Sequence, residues 1–263
     1  MTSARLRAAG ITVGYGGVAV IEGLDTEIPD GEITAILGPN ACGKSTLLRA
    51  LARLNRVDPG AVLLDGTDIR RLATRDVARR IGLLPQSSVV PPAITVRDLV
   101  ARGRYPHQGP LRRWGVQDEA ARSRAMADAG VDDLADRPVD ELSGGQRQRA
   151  WIAMVLAQET GILLLDEPTT YLDVAHQVEL LDLCLRFRRD RGTTIVAVLH
   201  DLNQAFRYAD RVVMMKDGRV VAAGPPAQVA DAELVRDVFG LPCLVIPDPV
   251  TGTPLVVPAA PDA

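Results

Sequence analysis

The chain has 263 residues, of which 47% are hydrophobic and 24% charged, with a formal net charge of -3. This is the composition of a globular protein. The slight acidity and an aromatic share of 3% argue against a nucleic-acid surface, which needs clustered cations or stacking rings. No apolar run approaches the ~20 residues of a membrane helix, and Met1-Thr2-Ser3-Ala4-Arg5-Leu6-Arg7 lacks the apolar core of a signal peptide, so a cytosolic location is expected. Cys42, Cys184 and Cys243 lie far apart with no Cys-x-x-Cys pair, which indicates neither a disulfide framework nor a zinc site.

The first segment alternates loosely, with Ile11, Val13, Val18, Val20 and Ile21 broken by Tyr15-Gly16-Gly17 and then Pro29-Asp30-Gly31. Short strands interrupted by glycine turns predict an antiparallel sheet. The Tyr15 ring either stacks on a nucleotide base or serves as an ordinary turn aromatic.

Ile33-Thr34-Ala35-Ile36-Leu37 reads as a strand and Leu47 to Ala52 as a helix. Between them lies Gly38-Pro39-Asn40-Ala41-Cys42-Gly43-Lys44-Ser45-Thr46, which is G-x-x-x-x-G-K-[ST] in the strand–loop–helix context the motif requires. Gly38 and Gly43 let the backbone curl so that successive N–H groups point inward, and the helix adds its positive dipole end. Lys44 brings a point charge to the β- and γ-phosphates, and Ser45 offers a hydroxyl to Mg²⁺. Cys42, beside Lys44 at a helix start, is expected to have a lowered thiol pKa or to be a small buried filler.

Val62-Leu63-Leu64 and Asp65-Gly66 predict a strand and a tight turn, Thr74 to Arg80 a charged helix, and Ile81 to Leu84 a strand ending at Pro85-Gln86. Gln86 is either a cap or a ligand to metal or water near a γ-phosphate. From 87 to 160 no strand pattern appears. Helical spacing runs over Thr95 to Arg102 and Gln117 to Ala129, with an exposed, irregular Arg102 to Pro110 between them, so the block reads as a helical subdomain inserted into an α/β core. Its end carries Leu142-Ser143-Gly144-Gly145-Gln146, where Ser143 suits an N-cap and the glycines leave open N–H groups: a second anion site or a flexible helix entry.

Ile162 to Leu165 is a buried strand ending in Asp166-Glu167, and strand ends are where α/β folds place ligands. Asp166 suits Mg²⁺ through water and Glu167 suits a general base. Tyr171-Leu172-Asp173 leads into an amphipathic helix predicted to turn Val174, Val178, Leu181 and Leu185 inward. Thr194 to Leu199 reads as the last core strand. It ends at His200, which at that position favours a functional role over a structural one, and Asp201 is expected to cap the next helix. Val212 to Ala222 predicts a hairpin with an Asp217-Gly218 turn, Asp231 to Phe239 a short helix, and Cys243 to Ile246 with Pro254 to Val257 a terminal strand pair.

In this order, Tyr15, the phosphate loop, Gln86, Leu142 to Gln146, Asp166-Glu167, Asp173 and His200 resemble the ATP-binding cassette ATPases over nearly the whole chain. The resemblance implies a single domain over 1–263: an α/β P-loop NTPase ABC ATPase fold with a RecA-like core, an antiparallel β-subdomain and the inserted α-helical subdomain at roughly 87–160. It further implies that Tyr15 stacks on adenine, that residues Gly38 to Thr46 bind ATP, and that Ser45, Gln86 and Asp166 hold Mg²⁺. Glu167, His200 and Gln86 are the implied catalytic residues. Ser143, Gly144, Gly145 and Gln146 would contact the ATP of a second copy, with Asp173 at the seam of the homodimer. Ala41 departs from the glycine more common in the family.

Val100 to Gln108, Gly145 to Glu159 and Asp248 to Val257 further resemble bacterial iron–siderophore importers, the ferric-enterobactin type best, with a cobalamin or haem importer as the alternative. That resemblance implies two separate membrane permease subunits, an extracytoplasmic siderophore-binding protein acting indirectly, no nucleic acid, and a peripheral position on the cytoplasmic face of the inner membrane. The stretch 87–113 would dock on the permease.

Overall fold

The computed structural model describes residues 4–86, 93–109 and 114–259. In chain order the elements are β1 (Ala4–Tyr15), β2 (Val18–Pro29), β3 (Ile33–Leu37), α1 (Lys44–Leu51), β4 (Ala61–Leu64), β5 (Thr67–Asp68), α2 (Thr74–Ala78), β6 (Ile81–Leu84), α3 (Val96–Arg102), α4 (Val116–Asp128), α5 (Gly144–Ala157), β7 (Ile162–Asp166) and α6 (Val174–Arg191). There follow β8 (Thr194–Val198), α7 (Leu202–Tyr208), β9 (Arg211–Lys216), β10 (Arg219–Gly224), α8 (Pro226–Val229), α9 (Ala232–Phe239), β11 (Cys243–Pro247) and β12 (Pro254–Pro258). The chain divides into two compact units, one formed by residues up to Arg71 together with those from Thr194 onward, the other by Leu72–Thr193.

The first unit holds the expected antiparallel sheet, in the order β2-β1-β4-β5, and the strands β10-β9-β3-β8. β3 and β8 are buried along their whole length and pair in parallel from Ile33↔Ile195 to Ile36↔Val198. Strands covered on both faces read as continuous apolar runs, which is why the pattern here does not alternate. β8 is not the last strand of this core. β9 also pairs in parallel with β3, from Thr34↔Arg211 to Leu37↔Met214, because Val212 to Met215 are fully buried and need cover on both sides. Only β10, antiparallel to β9, behaves as the outer arm of the expected hairpin.

β11 and β12 form the terminal pair, and α7 holds it. Asn203 Nδ2 donates to the Val256 carbonyl at 3.2 Å, and the Val256 N–H donates to Asn203 Oδ1 at 2.7 Å. Arg207 grips Asp248 through Nε at 3.1 Å and through a second, shorter bond from Nη2.

In the second unit β6 and β7 pair in parallel from Ile81↔Ile162 to Leu84↔Leu165, and the helices are α2 to α6. The expected exposed loop after α3 is instead bolted down. Arg104 is 4% exposed. Its Nε donates to Asp118 Oδ1 at 3.0 Å, and its Nη1 to the Ala157 carbonyl and Glu159 Oε2, both at 2.8 Å. His107 Nε2 meets the Gln158 carbonyl at 2.8 Å, and Arg79 Nε donates to the Pro106 carbonyl at 2.9 Å. A string of polar residues in sequence thus becomes a set of ties between helices, leaving Tyr105 exposed. Residues 87–92 and 110–113 of the expected docking stretch lie outside the described residues.

α6 also departs from expectation. Its buried side is Leu180, Leu181, Leu183, Cys184 and Phe187, whereas Val174 is 74% exposed and Val178 is exposed as well. The apolar stripe begins only after the helix's first turn and a half, so the two valines at its start face outward. Among the described residues no helix is long and apolar enough to cross a membrane.

Candidate active site

The phosphate loop leaves β3 at Leu37 and enters α1 at Lys44. Gly38 has φ 155, and a Cβ there would lie 2.3 Å from the Met215 carbonyl oxygen and 2.6 Å from Cys42 Sγ, so only glycine fits. Gly43, with φ 102, is the N-cap of α1 and supplies no side-chain cap, leaving the first-turn N–H groups of the helix to other acceptors. Lys44 is 5% exposed, and its Nζ donates to the carbonyls of Gly38 and Pro39, each at 2.8 Å. No carboxylate among the described residues pairs with it. A buried ammonium held only by neutral carbonyls is costly unless an anion completes its shell.

The loop has a support that the motif does not reveal. The Gly218 N–H donates to the Cys42 carbonyl at 3.1 Å, so the turn between β9 and β10 props the loop from beneath. Gly218, with φ 75, is pressed against β2, where a Cβ would come within 2.2 Å of the Val20 carbonyl oxygen. Cys42 is buried, and burial raises its thiol pKa against the lowering pull of Lys44. The expectation of a lowered pKa is overturned because desolvation outweighs the adjacent charge.

Ala41 takes φ 62, the left-handed backbone that an L side chain disfavours, which explains in physical terms why glycine would suit this position. Pro39, Asn40 and Thr46 complete the loop around it. The Leu199 N–H donates to the Ile36 carbonyl at 3.2 Å, so His200 emerges beside the start of the loop. Asp201 caps α7 by accepting from the Gln204 N–H at 2.9 Å. Tyr15 closes the β1–β2 hairpin, 51% exposed, with its hydroxyl accepting from Asn55 Nδ2 at 2.8 Å.

The second unit carries the other candidates. Leu84 pairs with Leu165, so Gln86 and Glu167, each two residues further on, leave their strands at one edge. Asp166 is 1% exposed. Glu167 has φ 53, an uncommon backbone for a glutamate and the kind of local strain that gathers at working sites. Thr170 Oγ1 reaches Glu167 Oε2 at 3.5 Å, and Gln148 Nε2 on α5 donates to the Pro168 carbonyl at 3.0 Å.

Ser143 forms a capping box with Gln146: its Oγ accepts from the Gln146 N–H at 3.3 Å, and its own N–H donates to Gln146 Oε1 at 3.1 Å. Gly144 and Gly145 pack close to Tyr171 and Leu172, so the start of α5 leans on the segment that precedes Asp173. Asp173 caps α6, accepting from the His176 N–H at 2.9 Å and meeting His176 Nδ1 at 2.8 Å. These bonds hold its carboxyl below the usual range.

The expected Mg²⁺ donors are the Ser45 hydroxyl in the first unit and the Gln86 amide and Asp166 carboxylate in the second. Among the described residues no group of three or more His, Cys, Asp or Glu is placed to hold one. Such a sparse set suits Mg²⁺, which keeps water and phosphate oxygens as most of its ligands.

Residues 21–170 match the family model described as ABC transporter. The chain belongs to the ABC transporter family. It is 58% identical to the ferric enterobactin transport ATP-binding protein FepC of Escherichia coli (strain K12), over 97% of this chain and 94% of that one. Its fold matches an inward-facing structure of a metal-chelate type ABC transporter with TM-score 0.83 and 28% identity, covering 99% of this chain and 98% of the other. It also matches the dimeric post-hydrolysis structure of the ATP-binding cassette MJ0796 bound to ADP and Pi, with TM-score 0.75 and 26% identity over 84% and 98%. The α/β cassette architecture is therefore the family's own.

Two supporting contacts, Asn55 to Tyr15 and Gly218 to Cys42, escaped the reading of the sequence. Each joins residues 40 or more positions apart, and neither Asn55 nor an Asp-Gly turn carries a local signal for its partner.

Proposed function

We propose that this chain is the ATP-hydrolysing subunit of an importer of ferric siderophores, acting as a homodimer beneath two membrane permease subunits on the cytoplasmic face of the membrane. The observation that carries the reading is the buried Lys44 ammonium, 5% exposed and, among the described residues, hydrogen-bonded to two carbonyls, in a loop whose first-turn N–H groups lack a side-chain cap. The strong similarity to an enterobactin transport protein supports the cargo. An extracytoplasmic binding protein would deliver that cargo to the permease. The helical block within 87–160 would serve as the signature-bearing subdomain of one cassette.

In this reading Tyr15 receives the adenine and the backbone of residues 38–46 wraps the phosphates. Lys44 neutralises the β- and γ-phosphate charge. Ser45, Gln86 and Asp166 would hold Mg²⁺, which supplies charge neutralisation at the phosphates when bound. Glu167 takes a proton from the attacking water, and His200 orients the γ-phosphate. Ser143 to Gln146 present the start of α5 to the nucleotide of the second copy, with Asp173 at the seam.

Glu167→Gln tests the shared site. Losing a general base costs about 10²–10⁴-fold in rate, while the loop keeps its grip on Mg-ATP, so the variant is expected to accumulate as an ATP-bound dimer on gel filtration. Adding Ser143→Arg, which fills the space facing the second nucleotide, is expected to restore the monomer. A Glu167→Gln protein saturated with ATP yet monomeric would falsify the shared site.

A further inference from the structure

α1 ends without running on. Ala52 is its C-cap, Arg53 turns back with φ 60, and the N–H groups of Leu54 and Asn55 both point to the Arg49 carbonyl, at 2.8 and 3.3 Å. This reversal aims the Asn55 side chain back along the helix. Its Nδ2 lies 3.4 Å from the Thr46 carbonyl oxygen, at the end of the phosphate loop, and 2.8 Å from the Tyr15 hydroxyl. The carbonyl can only accept, so the amide nitrogen must face it, and Tyr15 must accept from that same nitrogen. One side chain therefore ties the helix that begins in the phosphate loop to the ring at the tip of the β1–β2 hairpin. That tip turns through Gly16 and Gly17, both left-handed, and leaves the ring half-exposed.

We propose that Asn55 is a positioning residue that pre-sets the Tyr15 ring for the nucleotide base at a fixed offset from the phosphate loop. The inference rests on the reading of Tyr15 as the base platform. An exposed tyrosine pays conformational entropy when a ligand freezes it, and a side chain already tethered pays less. Asn55 should thus affect the affinity for nucleotide through the base and leave the phosphates alone.

The test compares Mg-ATP with Mg-tripolyphosphate, which lacks a base, by titration calorimetry on the full chain. The proteins are wild type, Asn55→Leu, Tyr15→Phe, the double variant and Tyr15→Ala. Releasing one tethered side chain that binding must order again corresponds to about a two- to ten-fold loss of ATP affinity, expected for Asn55→Leu and for Tyr15→Phe alike. The double variant is expected to be no weaker than either single one, because both remove the same bond. Tripolyphosphate affinity is expected to stay unchanged in all. Tyr15→Phe keeps the ring and removes only a half-exposed hydroxyl, so it remains informative if Asn55→Leu misfolds. Asn55→Leu weakening tripolyphosphate as much as ATP, or adding its full effect to that of Tyr15→Phe, overturns the positioning role. Tyr15→Ala leaving ATP affinity unchanged overturns the base-platform reading itself.

Discussion

Arg207 and Asp248 are 41 residues apart and form a two-pronged ion pair, with the Asp248 side chain 4% exposed. The aspartate does more than pair. Its Oδ1 accepts from the N–H of Val250 at 2.8 Å and of Thr251 at 3.4 Å, so one carboxylate both closes the β11–β12 turn and fastens it to α7. That helix starts directly after His200-Asp201, and the terminal hairpin thereby braces the helix that follows the candidate histidine.

This clamp predicts a specific acid sensitivity. The Arg207 guanidinium, followed by the turn's N–H groups, lowers the Asp248 carboxyl to about 2. A depressed carboxyl pKa contributes stability that is fully present above the unfolded value, near 3.9, and is lost as pH falls through the folded one. Asp248→Asn is expected to lower the melting temperature at pH 7. The difference from wild type should shrink as the pH falls from about 4 towards 2. A difference that stays constant across that range would rule out the charged pair as its source.

The buried Arg104 joins α4 to the end of α5. Breaking a buried ion pair by removing one partner typically costs about 3–5 kcal/mol, and Asp118 is fully buried. Arg104→Met is expected to lose stability of that order in urea unfolding, against little change for Arg56→Met, whose pair with Asp58 is exposed. Equal losses in the two variants would contradict the burial argument.

Ala41 should be improvable. Left-handed backbone costs a non-glycine residue about 1–2 kcal/mol, and glycine gives back part of that as unfolded-chain entropy, about 0.5–1 kcal/mol. Ala41→Gly, at an exposed position, is expected to stabilise the chain by roughly 0.5–1 kcal/mol by urea unfolding. Destabilisation would mean that the methyl group makes contacts worth more than the strain.

The three thiols should react in a fixed order. Cys243 is partly exposed, whereas Cys42 and Cys184 are buried, and burial lifts Cys184 to about 12 and raises Cys42. Maleimide at pH 7, followed by peptide mass mapping, is expected to mark Cys243 first and the other two only after unfolding. Rapid labelling of Cys42 in the native chain would restore the activated thiol that its neighbour Lys44 suggested.

Contiguous stretches made much of this molecule legible. The candidate stretches Gly38 to Thr46, Ser143 to Gln146 and Asp166-Glu167 take their form from backbone conformation and strand ends, which depend on neighbouring residues, so their types and spacing carry the information. The buried runs of β3 and β8 were readable for the same reason. The sequence alone did not decide whether Cys42 is activated or muffled, because desolvation depends on what folds over it. It did not show that Val174 and Val178 face outward, since helical periodicity defines a stripe and leaves open which turns are covered. Nor did it show β9 joining β3, the Gly218 prop, the Arg104 hub, or the reach of Asn55 to Tyr15. Those contacts span from 14 to more than 170 positions, and only the packed chain brings their donors within hydrogen-bond distance of their acceptors.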